Sequence, residues 1–163
     1  MNILEKYGLK IILILFLTFS YSITADTKKL LILGDSISAG FGLKESENWV
    51  ELFNNSFDAE RMNITMINSS VSGDTTIGGL SRIGNVLKEH KPEYVLIELG
   101  GNDALRGYPL KQIKTNLLKI VDASLESKAK PLIMQIKIPP NYGKKYVEAV
   151  SYTHLTLPTK RIV

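Results

Sequence analysis

Short apolar runs alternate with helical patterns along the middle of the chain. Four apolar runs bounded by Gly, Asn, Ser or Pro predict buried strands over residues 29–33, 64–68, 94–99 and 132–138. Between them, apolar side chains recur at helical spacing over residues 47–57, 80–87 and 110–121. Continuous apolar strands separated by amphipathic helices are typical of a parallel sheet covered on both faces. The pattern predicts a three-layer α/β domain with right-handed crossovers.

The first 25 residues follow a different pattern. A mildly basic stretch, residues 1–10, precedes nine apolar-compatible positions, residues 11–19. This layout is typical of a secretory signal peptide. Nine residues span about 14 Å as a helix, against roughly 30 Å of hydrocarbon for a membrane span. We predict a signal peptide over residues 1–25, cleaved after Ala25 or Ser22, and a periplasmic or secreted protein. An uncleaved anchor is the alternative, and N-terminal sequencing of the exported protein distinguishes the two.

The composition of the chain mainly excludes classes of chemistry and of partner. The chain has 163 residues, of which 44% are hydrophobic and 22% charged, as in a single globular domain. It contains no cysteine, so a thiolate nucleophile, a disulfide and a thiolate metal site are excluded. The net charge is +4, but residues 26–150 carry only +1 and contain no clustered stripe of Lys and Arg. This distribution argues against a nucleic-acid partner.

Small polar residues follow three of the predicted strands. They occupy residues 34–40, 68–74 and 100–103. Because the carboxyl ends of parallel strands share one edge of the sheet, we expect these three loops to meet there and to carry the chemistry. Each motif by itself is equally compatible with a plain turn or a helix start, in which Thr75 or Thr76 acts as a cap.

Acyl transfer needs a nucleophile and donors for an oxyanion, and the three loops offer both. Ser36 lies in a Gly-flanked turn, where a serine can present its hydroxyl and its own N–H to a bound carbonyl. It is the candidate nucleophile. A glycine N–H and an uncharged amide from the neighbouring loops can donate to the developing oxyanion. Gly73 and Asn102 are the candidates for these roles.

The same three loops carry a family resemblance. The first three sequence blocks of the SGNH (GDSL-type) hydrolases resemble residues 34–38 (GDSIS), 72–75 (SGDT) and 101–103 (GND). The resemblance covers residues 26–150. Residues 99–107 and 140–143 are similar to the branch that contains bacterial thioesterases, lysophospholipases and arylesterases.

The resemblance implies a flavodoxin-like α/β/α sandwich with Ser36 as nucleophile. Its oxyanion hole would consist of the Ser36 N–H, the Gly73 N–H and the Asn102 side chain. Residues 104–109 resemble the mobile segment that lies over the acyl chain in this branch. The resemblance implies no cofactor and no metal.

By this resemblance, the protein would be an exported serine esterase or thioesterase acting through an acyl-serine intermediate. Its substrates would be small acyl esters, aryl esters, acyl thioesters or lysophospholipids. We expect a monomer that binds a small-molecule ester, with no nucleic acid and no membrane span after signal cleavage. The alternatives are a carbohydrate O-deacetylase of the same superfamily, a flavodoxin-like phosphate-binding module and a non-catalytic fragment. Phosphate binding is the weaker alternative, because residues 34–42 lack the ending of a P-loop.

A serine nucleophile needs a base, normally a histidine oriented by an acid. The family places an Asp-x-x-His pair after a fifth strand. The chain has two histidines: His90 ends a helix on the opposite edge of the sheet, and His154 follows Ser151 where Asp is required. We therefore predict that residues 26–150 form an incomplete domain that lacks the last strand and helix. Residues 151–163 are interpreted as a non-native tail, and the chain is expected to be inactive.

Overall fold

A computed structural model describes residues 26–157, so the predicted signal peptide lies outside the described residues. Four strands form one parallel sheet: β1 (Lys28–Gly34), β2 (Ile64–Asn68), β3 (Tyr94–Glu98) and β4 (Lys130–Ile133). Their order is β2-β1-β3-β4. From β1 the chain first adds β2 on one side and then adds β3 and β4 on the other, so the strand order switches between β1 and β3. In open α/β sheets, ligands bind at the carboxyl ends of the strands beside such a switch point.

Helices connect the strands of the described sheet. They are α1 (Ser36–Ala39), α2 (Trp49–Asn54), α3 (Phe57–Met62), α4 (Thr76–His90), α5 (Gly101–Leu105), α6 (Leu110–Glu126) and α7 (Lys144–Leu155). Two single turns of 3₁₀ helix, Glu45–Glu47 and Pro140–Tyr142, lie between them. In the described part of the chain, no helix is both long and apolar enough to cross a bilayer.

The main core lies between one face of the sheet and helices α4, α6 and α7. Leu31 and Leu33 of β1 are fully buried and stand in register with Val95 and Ile97 of β3. They join one apolar cluster with the inner side chains of the helices, among them Ile83, Ile113, Leu117, Ile120 and Val150. Burial of these side chains, each worth about 1.5–3 kcal/mol, supplies most of the stabilisation.

Helix α2 covers the opposite face beside β2. Asn54 at its end exchanges two hydrogen bonds with the backbone of Met66: its Nδ2 donates to the carbonyl (2.9 Å), and its Oδ1 accepts from the N–H (2.8 Å). One amide side chain thus satisfies backbone groups of β2 that its neighbour β1 does not reach. The predicted α/β class, a parallel sheet with flanking helices, is confirmed.

Two predicted elements differ from the observed ones. The predicted strand 132–138 begins two residues earlier, at Lys130, and ends at Ile133. The Lys130 N–H donates to the carbonyl of Glu93, directly before β3, and the Met134 N–H donates to Ile97 of β3. The intervening Pro131 therefore turns its nitrogen away from β3 and loses no bond. The predicted helix over 47–57 is shorter, Trp49–Asn54, and a second helix, α3, follows that was not predicted. Ser56 starts α3 by accepting from the Ala59 N–H at 3.2 Å.

Helix α7 continues through residue 150 without interruption. Thr153, His154 and Leu157 are buried, and Leu157 belongs to the main apolar cluster. Residues 158–163 lie outside the described part of the chain. The interpretation of residues 151–163 as a non-native tail stays a prediction, as does the absence of a last strand and helix.

Helix α4 contains three glycines, and substitution of two of them by alanine should have opposite effects on stability. A Cβ at Gly79 would lie 2.3 Å from Cδ1 of the buried Leu99, whereas a Cβ at Gly84 meets nothing within 4 Å. We expect Gly79→Ala to lower the free energy of unfolding by about 1–3 kcal/mol through overpacking. Gly84→Ala should raise it by about 0.5–1 kcal/mol through helix propensity. Urea denaturation measures both, and a Gly79→Ala protein as stable as the parent would refute this packing.

Candidate active site

Ser36 is the first residue of α1, immediately beyond β1. The Asp35 side chain caps this helix by accepting a hydrogen bond from the Ile37 N–H at 3.1 Å. Gly40 ends the helix in the left-handed conformation, with φ 73°. The short helix therefore holds Ser36, which is half-buried, at the carboxyl edge of the sheet.

Asn102 brings the three loops together. Its Nδ2 donates to Asp35 Oδ2 at 3.1 Å and to the Asp74 carbonyl at 2.9 Å. Asp35 directly precedes Ser36, and Asp74 directly follows Gly73. The Asn102 amide thus joins the loops that carry the other two candidate residues, Ser36 and Gly73.

Two backbone donors at this edge are free. Within the described residues, the N–H groups of Ser36 and Gly73 have no protein acceptor. Gly73 has a backbone φ of 78°, which residues with a Cβ rarely adopt. Its carbonyl accepts a hydrogen bond from Arg106 Nη2 at 3.1 Å. The carbonyl is therefore occupied while the N–H of the same residue stays available.

A second polar network holds the element that carries Asn102. Asp103 is buried and accepts hydrogen bonds from Thr76, from its N–H at 2.9 Å and from its hydroxyl at 2.5 Å. Asn116 Nδ2 donates to the same hydroxyl at 3.0 Å. These bonds tie α5 to α4 and α6. Thr75 is the helix cap, accepting from the Gly78 N–H at 3.3 Å, so the two threonines have separate roles.

Sequence reasoning missed the Asp103–Thr76–Asn116 network. Its only local signal was an acid directly after Asn102 and a threonine one position beyond the cap. Because the partners are 27 and 40 residues apart in the chain, no short motif contains the contacts.

Acidic groups give the site its electrostatic character. Burial raises the pKa of the Asp35 carboxyl; the hydrogen bond from Ile37 opposes this rise, and the nearby Asp74 carboxylate adds to it. Asp74 pairs with Arg82, whose Nη2 lies 2.8 Å from Oδ2. The arginine therefore offsets one of the two negative charges beside Asn102.

Neither histidine of the chain is placed to accept a proton from Ser36. His90 ends α4, and its carbonyl accepts from Lys29 Nζ at 3.3 Å near the start of β1, on the opposite edge of the sheet. His154 is buried, with Nδ1 2.9 Å from the Val150 carbonyl and Nε2 3.0 Å from the Leu99 carbonyl. Both of its ring nitrogens face acceptors, so no ring lone pair is directed toward the serine.

Exposed apolar side chains lie in or beside all three loops. Ile37 is 69% exposed, Val71 50% and Leu105 43%. Leu105 lies two residues beyond the third loop, and we refer to the three side chains together as the apolar rim. A cavity of about 610 Å³ lies elsewhere, at the ends of α4 and α6, and includes Lys88 and Lys128 but no residue of the three loops.

The chain matches known proteins along most of its length. The profile of the GDSL-like Lipase/Acylhydrolase family matches residues 32–154. An arylesterase of Vibrio mimicus is 46% identical over 134 residues, covering 82% of this chain and 66% of that protein. Thioesterase 1/protease 1/lysophospholipase L1 of Escherichia coli is 42% identical over 150 residues, covering 92% of this chain and 69% of that protein.

A solved structure agrees with these matches. The psychrotrophic esterase EstA from Pseudoalteromonas sp., in a crystal structure inhibited by monoethylphosphonate, is 44% identical with a TM-score of 0.75. The alignment covers 78% of this chain and 70% of that one. The chain therefore belongs to the GDSL-like lipase/acylhydrolase family, which confirms the resemblance to the SGNH hydrolases. It spans roughly two thirds of the length of these relatives.

The buried Thr76 hydroxyl predicts a stability defect. Thr76→Val keeps the shape of the side chain but leaves an Asp103 oxygen and the Asn116 amide without their partner. We expect the free energy of unfolding to fall by about 1–3 kcal/mol. The control is Ser81→Ala on the exposed face of α4, which loses a single bond to the Gly78 carbonyl. Equal urea midpoints for the two variants would show that the buried network contributes nothing.

Proposed function

We propose that the protein is an exported serine hydrolase that cleaves acyl esters or thioesters through an acyl-serine intermediate. The observation that carries this proposal is the grouping of Ser36, Gly73 and Asn102 around one amide, with two free N–H groups. Arylesterase and thioesterase relatives support the same reaction class. Residues 1–25 are proposed as the export signal, and residues 26–150 as the hydrolase domain.

In the proposed reaction, the Ser36 hydroxyl attacks the acyl carbon and loses its proton to a base. The Ser36 and Gly73 N–H groups and the Asn102 amide donate to the oxyanion, where preorganised donors stabilise the transition state. The alcohol or thiol then leaves, and water releases the acid from Ser36.

Asn102 has two amide hydrogens, and both have acceptors in this structure, Asp35 Oδ2 and the Asp74 carbonyl. Donation to an oxyanion therefore requires one of these bonds to lengthen. We propose that the bond to Asp35 yields, because it is the longer one and joins two side chains that can rotate. The bond to the Asp74 backbone then keeps the amide in place.

The base is the part of the mechanism that these residues do not supply. We propose that it is the histidine of an Asp-x-x-His pair encoded beyond codon 150 in the source gene, and that the 163-residue chain turns over little substrate. Sequencing the source DNA across codon 150 tests this directly. Absence of such a pair from the reading frame would remove the base from the proposal.

The apolar rim indicates the substrate class. Ile37 directly follows Ser36, and Val71 and Leu105 expose aliphatic surface in or beside the other two loops. Exposed aliphatic surface of this kind suits the acyl chain of an ester or thioester. We propose that residues 104–109 move over this chain, with Arg106 releasing the Gly73 carbonyl as they do. Small acyl esters, aryl esters, acyl thioesters and lysophospholipids are the proposed substrates.

The first functional prediction concerns Ser36. In the protein expressed from the source gene, a fluorophosphonate should label Ser36, and Ser36→Ala should abolish the labelling. The matched control is Ser72→Ala, which removes an exposed hydroxyl from the neighbouring loop and should label normally. Mass spectrometry of the labelled peptide identifies the modified serine. Labelling that survives in Ser36→Ala would assign the nucleophile elsewhere.

The second functional prediction concerns Asn102. In the protein expressed from the source gene, Asn102→Ala should lower kcat for a p-nitrophenyl ester by about 10²–10³, the usual cost of one oxyanion donor. Because the substitution also removes bonds to Asp35 and Asp74, thermal unfolding must be measured beside the kinetics. Asn55→Ala serves as control, since its amide donates only to the Glu51 carbonyl on the exposed side of α2. A folded Asn102→Ala enzyme with unchanged kcat would contradict the assignment.

A further inference from the structure

A buried carboxyl lies directly behind the turn that carries Ser36, and the proposed mechanism does not use it. Glu98 is the last residue of β3 and is only 1% exposed. The Ser38 hydroxyl donates a short hydrogen bond to Glu98 Oε2, and Trp49 Nε1 donates to the Ser38 oxygen at 3.2 Å. A chain of hydrogen bonds therefore runs from α2 through α1 to β3.

This carboxyl explains a glycine of the first sequence block. Gly34 stands in register with Glu98 across β1 and β3. A Cβ on Gly34 would lie 2.5 Å from Glu98 Oε2 and 2.8 Å from Ser70 Oγ. Since Gly34 is not among the residues with positive φ, the glycine is needed for space rather than for its backbone conformation.

Helix α1 has few other means of holding its orientation. It has four residues, too few to be stable as an isolated helix. Its interior attachments converge on Ser38: the hydroxyl binds Glu98, and the carbonyl accepts from Asn48 Nδ2 at 2.9 Å and from Asn68 Nδ2 at 2.7 Å. Ser38 is two residues from Ser36, so this anchor lies in the same helical turn as the candidate nucleophile.

We propose that Glu98 is a positioning residue for Ser36: its buried carboxyl holds Ser38 and thereby fixes the start of α1 in the geometry that acyl transfer requires. The inference rests on the proposed function. Misplacement of a reacting group by about 1 Å costs on the order of 10² in rate, so loss of this anchor should appear in the acylation step.

The surroundings of Glu98 favour its neutral form. Burial raises the pKa of the Glu98 carboxyl, and the Asp35 carboxylate adds to the rise. Hydrogen bonds from the Ser38 hydroxyl and from the N–H groups of Asp35 and Ser38 oppose it. Asp35 is the charged group that faces it, with the Asp74–Arg82 pair beyond. Within the described residues, Glu98 Oε1 and Ser70 Oγ have no hydrogen-bond partner, which makes a charge on this carboxyl costly.

Comparison of Glu98→Gln with Glu98→Ala tests whether the hydrogen-bond acceptor for Ser38 positions Ser36. In the protein expressed from the source gene, Glu98→Gln keeps an oxygen that can accept from Ser38 and should be labelled by a fluorophosphonate at nearly the parental rate. Glu98→Ala removes the acceptor and should be labelled about 100-fold more slowly. For p-nitrophenyl ester hydrolysis, kcat should fall by a similar factor while KM changes little.

Further variants keep the test decisive if Glu98→Ala does not fold. Ser38→Ala breaks the same contact from the other side and should slow labelling comparably. Trp49→Phe removes only the indole bond to Ser38 and should be labelled normally. Parental labelling rates in folded Glu98→Ala or Ser38→Ala would overturn the inference, whereas failure of the unsubstituted protein to label at all would overturn the proposed function instead.

The single tryptophan gives a readout that needs no activity. In the 163-residue chain, Trp49 emission should change with pH as Glu98 ionises, at a pH above the ordinary carboxyl value of 4.5. Glu98→Gln should abolish this transition, and Asp35→Asn should retain it, shifted to lower pH because a neighbouring negative charge is lost. A transition that persists in Glu98→Gln would show that the indole does not sense this carboxyl.

Discussion

The hydrogen bonds of one side-chain amide hold the site together. Asn102 Nδ2 reaches the residue before Ser36 and the residue after Gly73, so three loops that belong to different strands share one anchor. A primary amide suits this position because it supplies two donors without a charge. A carboxylate there would face Asp35 and the Asp74 carbonyl, all acceptors, and would separate the loops.

Buried polar networks surround that amide within an otherwise apolar sheet. The helix that carries Asn102 is held by the hydrogen bonds among Asp103, Thr76 and Asn116. The helix that carries Ser36 is held by the hydrogen bond between Ser38 and Glu98. Such groups are expensive to bury and stabilise only when their partners are in place. Each network joins a helix that carries a candidate site residue to a neighbouring element, through directional contacts that an apolar core cannot supply.

The apolar rim and the polar donors would make different kinds of contact with a substrate. In the proposed reaction, the exposed aliphatic side chains of the apolar rim would make non-directional contact with an acyl group, and the free N–H groups of Ser36 and Gly73 would donate to the carbonyl oxygen. The chain's two histidines lie outside the three loops, one at the far edge and one locked between carbonyl groups.

Hydrophobic periodicity by itself determined the parallel sheet, helices α4 and α6, and the convergence of three loops, because continuous apolar strands must be buried on both faces. It misplaced β4 and did not predict α3, since Pro131 and Ser56 act through hydrogen-bond partners that a pattern does not contain. The candidate residues Ser36, Gly73 and Asn102 were visible from sequence as residue types after strands. Only the tertiary structure decided what holds them, because the contacts of Glu98 with Ser38 and of Asp103 with Thr76 join residues 60 and 27 positions apart.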